Sequence, residues 1–191
     1  MMPTIAILSS RDNYVVGPTT LVYDTFTDSD STALTAHTPD IDVVGGGWVA
    51  YVSTICQVLG NKAGRTAAAR SVSAINAGVA NTLLTCDVSA INQGGIVCRL
   101  SDNANYWLFY CQDSNLYEVV AGAFTVRANV STVGVPVAMK VVSTGASISI
   151  NYNNAAAATY ASATHNQTAT RYGIFVDSST QRFDNFTVTT L

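Results

Sequence analysis

The chain has 191 residues, 48% of them apolar and only 11% charged, with a formal net charge of −3. That length holds one domain with a real core and hardly two. Its nine basic residues are scattered, with Lys62, Arg65 and Arg70 the nearest thing to a cluster, which excludes the usual footprint of a nucleic-acid binder.

Residues 1–20 precede the first convincing strand. They carry two apolar runs, one with Ile5, Ile7 and Leu8 and one made of Tyr14, Val15 and Val16, and they close at Gly17-Pro18. Disordered tails are poorer in Ile, Val and Tyr. The segment reads either as an edge strand on its own domain or as an N-terminal arm that adds a strand to another subunit. It lacks a basic region and a long apolar run, so it is not a secretory signal. No stretch approaches the ~18 apolar residues of a membrane span. Synthesis in a host cytoplasm is expected, with no membrane partner.

Residues 21–27 alternate as a strand, and 33–42 read as irregular. Gly45-Gly46-Gly47 introduces a strand over 48–52. Residues 56–59, a turn at Gly60-Asn61-Lys62 and residues 65–70 read as a small hairpin. Further strands follow at 72–75 and within 79–88. The clearest stretch is 94–128, where short aromatic or β-branched runs at 96–100, 106–111, 116–120 and 124–128 are separated by Asp, Asn, Ser and Gly. That is the signal of an antiparallel meander. Residues 136–143 and 147–152 alternate around Thr144-Gly145-Ala146. The alanine-rich stretch 155–163 reads as strand, because it is too short and too polar at its flanks for an independent helix. Strands at 171–177 and 182–190 close the chain. About a dozen short strands without a helix predict an all-β fold, a two-sheet antiparallel β-sandwich.

Cys56, Cys86, Cys98 and Cys111 form no C-x-x-C pair, so zinc lacks its usual spacing. Cys86, Cys98 and Cys111 fall in apolar strands and read as small buried hydrophobes, with one or two disulfides as the alternative.

Two segments bracket a pattern. Tyr23-Asp24-Thr25-Phe26-Thr27-Asp28 stands near the start, and Arg182-Phe183-Asp184-Asn185-Phe186-Thr187-Val188 near the end. Between them come Gly94-Gly95-Ile96-Val97-Cys98-Arg99-Leu100, Asn105-Tyr106-Trp107-Leu108 and residues 141–148. In this order they resemble the concanavalin A-like, laminin G-type jelly rolls. In that family a D-x-F opening strand lies beside an F-D-x-F-x-V closing strand. The resemblance covers residues 21–191 and implies one jelly-roll body behind the 1–20 arm. Such domains occur as carbohydrate-binding modules, in glycosidases and in virion proteins of tailed phages.

Catalytic patterns are missing. Glycoside hydrolysis needs two flanking carboxylates, and the E-x-D-x-E strand of jelly-roll glucanases has no counterpart beside Glu118, the single glutamate. Asp28, Asp30, Asp40 and Asp42 sit in loops and read as turn formers. His37 and His165 sit in polar loops without a nucleophile motif. Asp24 and Asp184 become neighbours if the first and last strands pair, with a structural calcium as the minor alternative. Aromatic faces stack on pyranose rings, and Trp48, Tyr106 and Trp107 head the candidates, followed by Tyr110 and Tyr117. Alternation requires at least half of the 106–110 run to be core.

These observations predict a protein that is not an enzyme and needs no cofactor or metal. The first expectation is a virion structural protein: a homo-oligomeric capsid decoration or cement protein gripping the major capsid protein or other virion subunits through its body and its arm. The alternative is a carbohydrate-binding module or receptor-binding tail domain with a glycan partner.

Overall fold

Alternation at period two, broken every few residues by Gly, Asn or Asp, favours strands joined by tight turns. The structure, a computed structural model, describes residues 17–52, 56–153 and 155–191. Sixteen strands and no helix form among the described residues. In chain order they are β1 (Thr20–Asp24), β2 (Ile41–Asp42), β3 (Val49–Ala50), β4 (Gln57–Val58), β5 (Ala63–Gly64) and β6 (Ser71–Asn76). Then come β7 (Thr82–Val88), β8 (Gly94–Asp102), β9 (Asn105–Tyr110), β10 (Asn115–Val120) and β11 (Ala123–Asn129). The last are β12 (Val137–Thr144), β13 (Ser147–Tyr152), β14 (Ala158–Tyr160), β15 (Arg171–Val176) and β16 (Arg182–Thr189).

The strands pair antiparallel in two sheets. One runs β14-β13-β12-β7-β16-β1-β2, with β5 beside β16 and β4 beside β5. The other runs β11-β10-β9-β8-β15-β6-β3. The expected meander is β8 to β11, each strand beside the next. First and last strands do pair, with Asp24 opposite Phe186. Between the layers lies a core to which the first sheet gives Leu84, Cys86, Met139, Val141, Ile148 and Ile150, and the second gives Ile96, Cys98, Trp107, Phe109 and Ile174.

Several expected strands are shorter than the pattern suggests: of 48–52 only Val49–Ala50 pairs, and of 155–163 only Ala158–Tyr160. Residues 21–27 leave the sheet after Asp24, because Phe26 has φ +52 and its N–H donates to Asp24 Oδ1 at 2.7 Å. That local side-chain turn competes with the ladder and wins. Residues 65–70 are not strand. Pairing resumes earlier, at β5, directly after Gly60 and Asn61 turn with positive φ. The arm residues Ile5, Ile7, Leu8, Tyr14, Val15 and Val16 lie outside the described residues.

Arg99 sits where β8 breaks register, at φ +50, and is fully buried. Its guanidinium donates to Gly145 O at 2.7 Å and Ala163 O at 3.3 Å. It ties the β12–β13 turn and the loop after β14 to the meander, which gives Arg99 a structural task.

All four cysteines are buried and unpaired. Burial pushes their thiols up, that of Cys98 to about 11. Thiolate is the reactive form. A thiol-reactive dye is therefore expected to label no cysteine in the native protein and all four in denaturant. Rapid labelling before unfolding contradicts this packing.

Candidate functional site

The two sheets differ in what their outer faces show. In the first sheet β7 and β12 alternate buried and half-buried residues, the mark of one wet face. In the second, β8, β9, β15 and β6 are buried on both faces over most of their length. Their outward side chains Val72, Ala74, Val97, Tyr106, Leu108 and Phe175 join Val119 of β10 in a second apolar cluster, with Tyr110 and Tyr117 packed against it.

Curvature explains this cover. Phe124 on β11 and Phe175 on β15 stand four strands apart, about 19 Å in a flat sheet at ~4.8 Å per strand. Yet both rings lie within 5.4 Å of the same Arg70 guanidinium carbon. The face is curled inward, and its residues shield one another.

Pairing register builds the floor of the resulting groove. Gly95 lies between Tyr110 and Phe175 on neighbouring strands, all three on the outer face. With no side chain at Gly95 the two flanking rings lean over it and meet edge to face, centroids 5.9 Å apart. A Cβ there would stand 2.2 Å from Phe109 O. Tyr117 continues the arc, 6.3 Å from Tyr110 and 5.8 Å from Phe124, again at steep angles.

Hydroxyl bonds fix these rings. Tyr117 donates to Asp113 Oδ2 and accepts from Asn115 Nδ2 at 3.4 Å; Tyr110 donates to Gln112 Oε1 at 3.2 Å. Burial raises both phenol pKa values, Tyr110 to about 12, so both stay neutral near pH 7. Arg70, just before β6, and Asp177, just after β15, complete the wall, with Nε to Oδ2 4.0 Å. Leu108 lines the base of this cavity of about 190 Å³. Phe124 remains 38% exposed. The groove therefore offers ring surface, neutral hydroxyls, one cation and one carboxylate.

Of the residues expected to stack on sugar, three lie elsewhere. Trp48 is 3% exposed, wedged between Phe26 and Phe186 at 5.7 and 5.1 Å, because its indole N–H donates to buried Asp24 at 2.6 Å. Trp107 is fully buried on the inner face, donating to His165 O at 2.8 Å. Tyr106 is on the outer face, but only 1% exposed, with its ring 6.4 Å from that of Phe124. None presents a ring face to solvent. Tyr110 and Tyr117 do reach the groove; they are joined there by Phe124, Phe175 and Asp177, and by Arg70, which the sequence marks only as one of three loosely spaced basic residues. Continuous apolar runs at 96–98 and 172–176, where a half-wet strand would alternate, are the sequence signal of a covered outer face.

Asp24 and Asp184 do not share a site. Asp184 faces Asp87 across β16 and β7 and pairs with Lys62 Nζ at 2.5 Å, in the wall of a cavity of about 340 Å³. Asp24 points inward. It accepts from Trp48, from Phe26 N and from His37 Nε2 at 2.9 Å, while His37 Nδ1 lies 3.1 Å from Asp28 Oδ2. His37 is thus a buried clamp between two carboxylates. Among the described residues no group of three His, Cys, Asp or Glu has metal-site geometry.

The fold is that of two-layer antiparallel β-sandwich proteins. No protein-family model matches the chain, and no curated protein matches it. Among solved structures the fold is similar to the carbohydrate-binding module CBM66 from Bacillus subtilis, with a TM-score of 0.53 at 16% identity, over 73% of this chain and 92% of that one.

Proposed function

We propose that this protein is a glycan-binding β-sandwich whose site is the groove of Tyr110, Tyr117, Phe124, Phe175, Arg70 and Asp177. The carrying observation is the arc of edge-to-face rings around a charged pair on a concave outer face. Sugar rings have apolar C–H faces that suit aromatic surface, and polar substituents that suit the Asp177 carboxylate and the tyrosine hydroxyls. The similarity to a carbohydrate-binding module supports the same reading. At about 190 Å³ the cavity falls below the ~300–1,000 Å³ of typical ligand pockets. It suits one sugar residue with the remainder of a chain outside. Binding without catalysis is the role we assign.

The capsid-decorating reading leaned on residues 1–20, of which 1–16 lie outside the described residues. The arc of aromatic rings and the similarity to a carbohydrate-binding module favour glycan binding instead.

Affinity electrophoresis against a polysaccharide panel, followed by calorimetry on the best ligand, tests the proposal. Phe124→Ala and Tyr117→Ala are each expected to weaken binding about tenfold, the scale of one lost aromatic contact. Phe124→Ala should leave the melting temperature nearly unchanged, since that ring is partly exposed. Failure of every polysaccharide to bind, or full affinity in both variants, removes the reading.

A further inference from the structure

The aromatic groove already holds a cation. The Arg70 guanidinium carbon lies 5.3 Å from the Phe124 centroid and 5.4 Å from that of Phe175, with the Asp177 carboxylate beside it. Aromatic faces are the negative side of the ring quadrupole, so two faces and a carboxylate turned toward one point make a site for positive charge. Tyr110 and Tyr117 wall it in, held edge to face and by their hydroxyl bonds. Among the described lining residues Arg70 is the one basic side chain, and the whole chain carries −3. An acidic sugar would set its own charge against Asp177. A neutral sugar would meet the two faces only through its C–H bonds and would draw nothing from their attraction for positive charge.

Resting on the glycan reading above, we infer that the groove selects glycans bearing free amino groups, whose ammonium takes the place of the Arg70 guanidinium between Phe124 and Phe175. Arg70 is then an internal competitor. It fills the site in the free protein and moves aside when an amino sugar enters. A site open only part of the time binds with apparent affinity reduced by that fraction, and removing the competitor lifts the reduction.

Calorimetric titration with a β-1,4-linked glucosamine hexamer and with its fully N-acetylated counterpart separates charge from shape. The amine form is expected to bind at least about fivefold more tightly, and to weaken as salt is added. Arg70→Ala should tighten the amine hexamer about five- to tenfold, because two cation–π contacts no longer compete. Arg70→Gln, which keeps most of the stem, should do the same if the alanine variant folds poorly. Asp177→Asn should weaken it. Equal affinity for the two hexamers, or loss of binding in both Arg70 variants, overturns the inference. Neutral oligosaccharides held without preference for the amine do so too, yet leave the glycan reading standing. A groove that binds no oligosaccharide removes both.

Discussion

Gly173→Ala is expected to lower the unfolding free energy by roughly 3 kcal/mol or more, at or beyond the upper end of ordinary overpacking costs. Gly173 sits mid-strand in β15, paired with Ala74 on β6 and Val97 on β8. A Cβ at this position would stand 2.1 Å from Ser73 O and 2.7 Å from the Ala74 Cα. Both are backbone atoms of a neighbouring strand, so no side chain can rotate away. Strands β15 and β6 must part in the middle of their sheet, and ladder hydrogen bonds are lost as they do. Urea denaturation at neutral pH measures the change. Gly134→Ala is the control: nothing lies within 4 Å of its Cβ position, and a shift within about 0.5 kcal/mol is expected. A Gly173→Ala protein as stable as that control contradicts the register of β15.

Asp24→Ala is expected to cost about 3–5 kcal/mol, the range for removing one partner of a buried ion pair. It strips acceptors from the Trp48 indole, the Phe26 amide and the His37 ring at once. Asp24→Asn keeps one acceptor oxygen and should cost less. The same cluster gives stability a pH dependence. Each His37 nitrogen faces a carboxylate oxygen, so the ring donates twice only as imidazolium. Burial opposes that charge, but the hydrogen bonds to Asp24 and Asp28 outweigh it and raise the His37 pKa. A raised histidine stabilises below its unfolded value of about 6.5 and loses that contribution as pH climbs through the folded value. Burial raises the Asp24 pKa as well, so its ionisation also costs stability as pH rises above about 4. Asp28 runs the other way: bonded by His37, it is lowered and contributes until acid protonates it. Urea midpoints should therefore fall as the pH climbs above about 6.5, and His37→Asn should flatten that slope. A midpoint that rises across this range in the parent protein counts against the clamp.

The meander was readable because its turns are spelled out locally: Asn103-Ala104, Ala121-Gly122 and Asp113-Ser114 interrupt strands that need no other information. The groove was not readable in that way. Tyr110 and Phe175 meet over Gly95 only because β15, whose Phe175 lies 80 residues after Gly95, docks beside β8 in one register. Nothing near Gly95 announces that partner. Arg70 reads as part of a strand from its neighbours, yet it belongs to the segment leading into β6. Trp48 misled for a different reason. A tryptophan after three glycines looks exposed, but Asp24 supplies a buried acceptor for its N–H, and that bond draws the ring inward. His37, flanked by polar residues, hides its place between two carboxylates for the same cause: the partners sit nine and thirteen residues before it.

Thr19 and Thr190 exchange hydrogen bonds, Thr19 N to Thr190 Oγ1 and Thr190 N to Thr19 O, each 2.9 Å. The two ends of the body therefore meet on the layer that turns its back on the aromatic face. A short linker between them would close the backbone into a loop, as in a circular permutant. A partner protein grafted at Thr19 or Thr190 would leave from the rear, away from the aromatic groove.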